Sequence, residues 1–369
     1  MTSNHSTQFS PVAAVEQQDQ RFSSAFAILQ QAISDRIFPG ASTAVTVGGK
    51  LVAWKALGRF TYEVESPAVE VRTLYDLASV TKVVGTTAMG MVLYERGELD
   101  LDMPVASIIP EFASDDARRH DIVIRHLLAH SSGLPAYEKL FLRAQTRAEL
   151  LASAFRVPLR ADPGTRVAYS DIGFIVLGEA LARIAGDTID EFCRKEIFGP
   201  LGMAETTFTP PGDLCRHIPP TADDRTFRKR VVQGEVNDEN ASVMGGVAGH
   251  AGLFASAFDV ATFAHMMLSG GRPILRPETV SLFTRREIEP EGTSRTLGWD
   301  TPSAPSQSGN HFSRNSFGHL GYTGTSLWID PDKQLSVTLL TNRTWPDSQN
   351  QAIKQVRPRF HDAIAESLL

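Results

Sequence analysis

Ser79-Val80-Thr81-Lys82 sets a hydroxyl and an amine three residues apart, at the head of an apolar, helix-compatible run from Val83 to Leu93. On a helix this spacing puts both side chains on one face, one turn apart. A serine beside an amine is the pairing that nucleophilic acyl transfer uses: an oxygen to attack a carbonyl and a base to take its proton. The same tetrapeptide also suits a plain helix start, with Ser79 as N-cap and Lys82 in water. Two further stretches bear on the choice. Tyr169-Ser170-Asp171 follows the turn-rich Asp162-Pro163-Gly164-Thr165 and precedes a helical apolar pattern through Ile172, Phe174, Ile175, Leu177, Ala180 and Leu181. A tyrosine at a helix mouth can offer its phenol to a cleft and, near a lysine, relay a proton; the alternative is a core tyrosine with a bonded hydroxyl. His319-Leu320-Gly321 lies in the glycine-rich, β-forming run Phe317 to Pro331. Such an edge lets a substrate approach the backbone and helps cradle an oxyanion; the alternative is a hairpin with His319 merely packed.

The ordered set Ser-x-x-Lys, Tyr-x-Asp, His-x-Gly resembles the penicillin-recognising serine hydrolases, that is, class C β-lactamases, D-Ala-D-Ala carboxypeptidases and family VIII esterases. Ile124-Arg125-His126-Leu127-Leu128-Ala129-His130-Ser131-Ser132-Gly133-Leu134 and Phe198-Gly199-Pro200-Leu201-Gly202-Met203 look like the same family, and the resemblance runs from about residue 22 to the C-terminal helix. It implies an α+β fold of the β-lactamase/transpeptidase type, an antiparallel sheet flanked by helices with an inserted all-helical domain. It implies Ser79 as nucleophile with Lys82 and Tyr169 as candidate bases, which of the two does which being open. The Ser79 N–H would be one oxyanion donor and the N–H of Tyr322 or Thr323, past Gly321, the second. Asp171, His319 and Gly321 would line the substrate.

Two positions depart from the β-lactamase pattern. Asp171 stands where Asn is usual; an ionised Asp only accepts hydrogen bonds, and it can hold Lys82 charged. His319 replaces Lys, so the fixed positive charge that attracts a substrate carboxylate is missing. A histidine titrating near neutrality would favour carboxylate-bearing substrates near pH ~6 over pH ~8.

The segment Gly234 to Ala241, with Asn237-Asp238-Glu239-Asn240, precedes Gly245-Gly246-Val247-Ala248-Gly249-His250-Ala251-Gly252-Leu253-Phe254. Its small residues permit close backbone approach. It resembles one branch of the family, which includes muropeptide amidases, although that branch is expected to carry His at Asn237. A polar loop supporting the cleft and a direct substrate contact are equally open readings. The implied functions are hydrolysis of a peptidoglycan-derived amide, as an N-acetylmuramoyl-L-alanine amidase or D-Ala carboxypeptidase; a family VIII-type carboxylesterase on short acyl esters; or a weak β-lactamase or non-catalytic binding paralogue.

The elements that must position these residues follow from pattern. Residues 1–18 are expected to be flexible. A helix carries the stripe Phe22, Phe26, Leu29, Ile33 and Ile37, and a hairpin joins Ser42–Val47 to Leu51–Leu57 through Gly48-Gly49-Lys50. Residues 19–99 and 216–369 are read as the sheet domain and 100–215 as the helical insertion. Strand-like runs are expected at Arg295–Trp299, Ser326–Asp330 and Leu335–Asn342, and a closing helix within Gln351–Leu369, with a kink or late start at Pro358.

With 369 residues, 42% hydrophobic and 21% charged, the composition is that of a globular protein, and a net charge of −6 gives no footprint for nucleic acid. No cationic amphipathic stretch or ~20-residue apolar run suggests a membrane. The two cysteines, Cys193 and Cys215, have no metal-ligand or disulfide spacing. His126 and His130 are spaced for a metal, but a structural role at a helix end is the preferred reading; no metal or cofactor is expected. No signal peptide is visible, so the chain reads as cytoplasmic, as would one whose leader had been removed. The expected partner is a small-molecule or muropeptide substrate; oligomeric state is not legible.

Overall fold

The structure, a computed structural model, describes residues 9–369. Its centre is a six-stranded sheet: β1 (Val12–Ala13), β2 (Gly40–Val47), β3 (Lys50–Gly58), β4 (Phe317–Leu320), β5 (Ser326–Asp330) and β6 (Leu335–Thr341). The order is β1-β3-β2-β6-β5-β4, antiparallel throughout except for β1 beside β3. Strands from both ends of the chain thus meet at β2 and β6. The sheet has the antiparallel plan expected of an α+β fold.

The amino-terminal expectation needs correction. Residues 1–8 lie outside the described residues, but 9–18 are held rather than loose. Val12 and Ala13 pair with Lys50 and Leu51, and Phe9 stacks on His265 with ring centroids 5.0 Å apart. The edge of β3 otherwise offers unpaired N–H and C=O groups, and this short segment takes them up.

Side chains alternate across the sheet. On one face Val45, Val337, Leu339 and Trp328 pack against helices α1 (Ser23–Ser34) and α5 (Ile353–Glu366), through Phe26, Leu29, Val356, Phe360 and Ile364. Helix α1 stops short of Ile37, because Arg36 adopts a left-handed φ of 55°. Helix α5 starts at Ile353 and runs on through Pro358. The Lys354 carbonyl, which Pro358 cannot serve, accepts instead from Gln307 Nε2 at 3.0 Å.

On the other face Leu327, Ile329 and Leu340 join a continuous apolar cluster with α2 (Ala88–Glu95), α3 (Asp171–Ala185) and α4 (Ala257–Leu268). That cluster also takes in Ile124, Leu150 and Phe155, so the helices of the 100–215 segment share one core with the sheet. Arg295–Trp299 is not a strand. Gly298, at φ 93°, closes a turn in which Thr296 N–H donates to the Trp299 carbonyl (3.0 Å), leaving only isolated bridges from Arg295 to Asp300 and from Asp300 to Gly318. Among the described residues no helix is long and apolar enough to cross a membrane.

Candidate active site

The segment before Ser79 is clamped from three sides. Tyr75–Asp76 pairs with Phe254–Ala255. The Asp76 carboxylate accepts from the N–H of Ala78 (2.8 Å) and of Asn237 (2.6 Å), and burial pushes its carboxyl up to about 6. The Thr323 and Thr325 hydroxyls donate to the carbonyls of Asp76 (2.8 Å) and Leu77 (2.9 Å). This clamp holds Ala78 at φ 47°, a left-handed conformation that costs a non-glycine residue strain. Ser79 follows at once. The expected uniform helix is instead a 3₁₀ turn, Ala78–Val80, then a π-helical stretch, Lys82–Thr87, before α2 begins. Single π turns of this kind recur at functional sites.

Ser79 caps no helix, and Lys82 is fully buried rather than in water. Lys82 Nζ donates to three oxygens: Ser79 Oγ at 3.0 Å, Asp171 Oδ1 at 2.7 Å and the His250 carbonyl at 2.9 Å. An ammonium has three N–H groups, so all are engaged. Burial opposes the charge, but Asp171 and then Tyr169 outweigh it and hold Lys82 above the ordinary lysine value.

Tyr169 and Asp171 are set by the start of α3. Ser170 is its N-cap, accepting from Gly173 N–H at 2.9 Å, so the residues on either side point into the cleft. The Tyr169 ring lies beside the Ser79/Lys82 pair, its centre 5.0 Å from Lys82 Nζ, and it lines the same cleft as Ser79. Burial raises its phenol, and the Lys82 cation only partly counters this. Behind it lies the His130 ring, centroids 4.7 Å apart, whose Nδ1 accepts from Ser170 N–H at 3.0 Å.

The third motif ends β4 and turns into β5. Gly321 must be glycine: a Cβ there would meet Thr325 Oγ1 at 1.8 Å and the Leu77 carbonyl at 2.5 Å. That close approach brings the β4–β5 turn against the nucleophile segment. Arg357, reaching from α5, donates to the carbonyls of Gly321 (2.7 Å) and Thr325 (2.8 Å), and burial pulls its guanidinium down to about 9. Tyr322 is exposed at the rim, while the Thr323 side chain is buried on Asp76 and does not line the cleft. Among the described residues no acceptor takes the backbone N–H of Ser79 or Tyr322. His319 is buried with Nδ1 2.8 Å from the Leu320 carbonyl. Burial first, then Lys82 and Arg295, push it well below the usual histidine value, so the ring is neutral across the physiological range. This overturns the expectation of a histidine titrating near neutrality at the substrate.

Ser79, Tyr169, Asp171, His319, Gly321 and Tyr322 line one cleft of about 740 Å³. A larger cleft of about 1110 Å³, bordered by Phe198, Met203 and Leu214, contains none of them. Pattern reading gave no role to Arg295 or His250, which also line the smaller cleft. Arg295 lies with its guanidinium 5.6 Å from the Tyr169 ring centre, carried by the loop that was expected to be a strand. His250 pairs through Nε2 with Asp238 Oδ1 at 2.8 Å while its carbonyl serves Lys82. The small residues around it explain the second contact. Gly249 lies against α3, where a Cβ would meet the Phe174 carbonyl at 2.1 Å. In the same segment Asp238 caps a short helix and Asn240 is buried, tying down Glu138 and Phe141. His126 and His130 have separate partners, the N–H groups of Val123 and Ser170.

A serine bonded to a buried lysine and facing a phenol, beside two free backbone N–H groups, can form and release an acyl-enzyme without further parts. Comparisons with known proteins agree. The profile described as Beta-lactamase matches residues 23–357. An N-acetylmuramyl-L-alanine amidase of Bacillus subtilis (strain 168) is 32% identical over 348 residues, 83% of this chain and 77% of the relative. An Escherichia coli (strain K12) protein named as a D-alanyl-D-alanine carboxypeptidase is 32% identical over 325 residues, 79% of this chain and 74% of its own. Among solved structures, EstCE1, a hydrolase with promiscuous acyltransferase activity, superposes with a TM-score of 0.77 at 23% identity, covering 94% of this chain and 99% of that one. A penicillin-binding protein homologue from Caulobacter crescentus does so at 0.75 and 20%, covering 94% and 97%. The chain is a serine hydrolase of the beta-lactamase family.

Proposed function

We propose that the protein hydrolyses a peptidoglycan-derived amide through an acyl-enzyme on Ser79. The observation that carries this reading is the Lys82 ammonium, held between Ser79 Oγ and Asp171. Ser79 Oγ attacks the carbonyl carbon while its proton passes to the Lys82/Tyr169 pair in its singly deprotonated form, the fraction that grows as pH rises. The carbonyl oxygen, now negative, takes hydrogen bonds from the N–H groups of Ser79 and Tyr322. The C–N bond then breaks, and the proton returns to the departing amine. Water repeats the sequence on the ester, releasing the acid and restoring Ser79. Two relatives at 32% identity whose names refer to peptidoglycan amide bonds support the substrate class.

A second reading, hydrolysis of short acyl esters, uses the same atoms. It is favoured by the neutral His319, which gives the cleft no cation at that position for a substrate carboxylate. Purified protein assayed on a MurNAc-peptide, p-nitrophenyl acetate and nitrocefin separates the readings. The first expects release of the peptide from the MurNAc-peptide; turnover of the ester alone gives preference to the second.

A further inference from the structure

We propose that His319 serves the substrate as a hydrogen-bond acceptor, so that the group lying along the end of β4 carries an N–H or O–H and not a carboxylate. The inference rests on the hydrolase reading above and deepens it to a substrate feature.

Nδ1 of His319 lies 2.8 Å from the Leu320 carbonyl. A carbonyl oxygen only accepts, so Nδ1 carries the hydrogen. In a neutral ring the other nitrogen, Nε2, then has a lone pair and no hydrogen. Nε2 is buried and has no partner among the described residues, and the residue lines the catalytic cleft beside Tyr169, ring centroids 6.0 Å apart. His130, on the other side of Tyr169, shows the opposite arrangement. Its Nδ1 accepts from Ser170 N–H, which puts the hydrogen on Nε2, and it does not border the cleft. Of the two imidazoles packed against Tyr169, the one that lines the cleft is therefore the one with an unprotonated, unpartnered Nε2. A carboxylate there would set lone pair against lone pair, whereas a carboxamide of the same shape donates an N–H. Arg295 and Arg343 also line the cleft and attract anions to it, but they do so whatever residue occupies position 319.

The test uses two esters that share an acyl group and differ only beyond the scissile bond, phenylacetylglycyl-D-lactate and phenylacetylglycyl-D-lactamide. The readout is the ratio of kcat/KM for lactamide over lactate in wild type, His319→Gln and His319→Lys. Lysine replaces the acceptor by a charged donor, so this ratio should fall by about tenfold or more from wild type to His319→Lys. Glutamine, which can donate or accept, should lie between. A ratio unchanged within about twofold overturns the inference. p-Nitrophenyl acetate, which has no group to reach His319, is the control. If it is turned over and the ratio stays flat, the inference alone fails; if no ester or MurNAc-peptide is turned over, the hydrolase reading falls and the inference with it. Nitrogen-15 NMR of the His319 ring in the full chain gives an answer free of activity: an unprotonated Nε2 is expected, and a protonated one overturns the inference.

Discussion

Lys82 Nζ lies 2.7 Å from Asp171 Oδ1, an ion pair in which the lysine is fully buried and the carboxylate borders the cleft. Removing one partner of such a pair leaves a charge without its compensation. The carboxylate therefore governs when Lys82 can give up its proton, and through it when Ser79 can lose its own.

Asp171→Asn keeps the shape and the acceptor oxygen but removes the charge. The largest influence opposing burial at Lys82 is then gone, leaving Tyr169, and the rising limb of the pH profile for ester hydrolysis should move to lower pH by about one unit or more. Tyr169 shifts in the same direction, because Asp171 also raises its phenol. A limb that stays in place would show that neither group is the titrating base.

In wild type both members of the Lys82/Tyr169 pair hold their protons above their ordinary values, and the base form is the deprotonated one. Turnover of p-nitrophenyl acetate should thus climb from pH ~7 to beyond pH ~9, by up to about tenfold per unit. His319 and His130 are both pushed well below the usual histidine range, with burial the main cause. Their charged forms vanish below the assayed range, so wild type and His319→Gln should share the same profile shape between pH ~6 and pH ~8. A histidine inflection present in one and absent in the other contradicts this.

β-Lactams present a carboxylate, and the strand facing it offers a neutral His319. Loss of one charge-assisted hydrogen bond typically costs ~1.5–3 kcal/mol, or roughly ten- to a hundred-fold in binding. Nitrocefin hydrolysis should be poor beside ester or amide turnover, and His319→Lys should improve it, chiefly through KM. Efficient wild-type nitrocefin turnover would show that His319 does not meet the carboxylate.

Gly321→Ala would drive a Cβ into Thr325 Oγ1 and the Leu77 carbonyl, displacing the turn that carries the Tyr322 N–H. Removing one oxyanion donor costs roughly 10²–10³ in kcat. A fall of that order with a lowered Tm is expected; full activity in a folded variant would separate this turn from the chemistry.

Much of this arrangement is legible in the sequence because its signals are local. The Ser79–Lys82 spacing, the Ser170 cap that sets Tyr169 and Asp171 at the mouth of α3, and the Gly48-Gly49 hairpin each follow from a few neighbouring residues. What was not legible depends on partners far along the chain. The His250 carbonyl reaches Lys82 across 168 residues, and Arg295 reaches the Tyr169 ring from a loop whose β-like composition Gly298 breaks. Residues 9–18 look polar and loose until the open edge of β3 supplies their partners. The neutral state of His319 likewise comes from its burial and from the charges of Lys82 and Arg295, which no spacing reveals.

Turnover by Ser79→Ala tests most directly whether Ser79 is the acylated nucleophile. With the fold intact by circular dichroism, kcat on any accepted ester or amide should fall at least ~10³-fold. Turnover close to wild type in that variant would contradict the account.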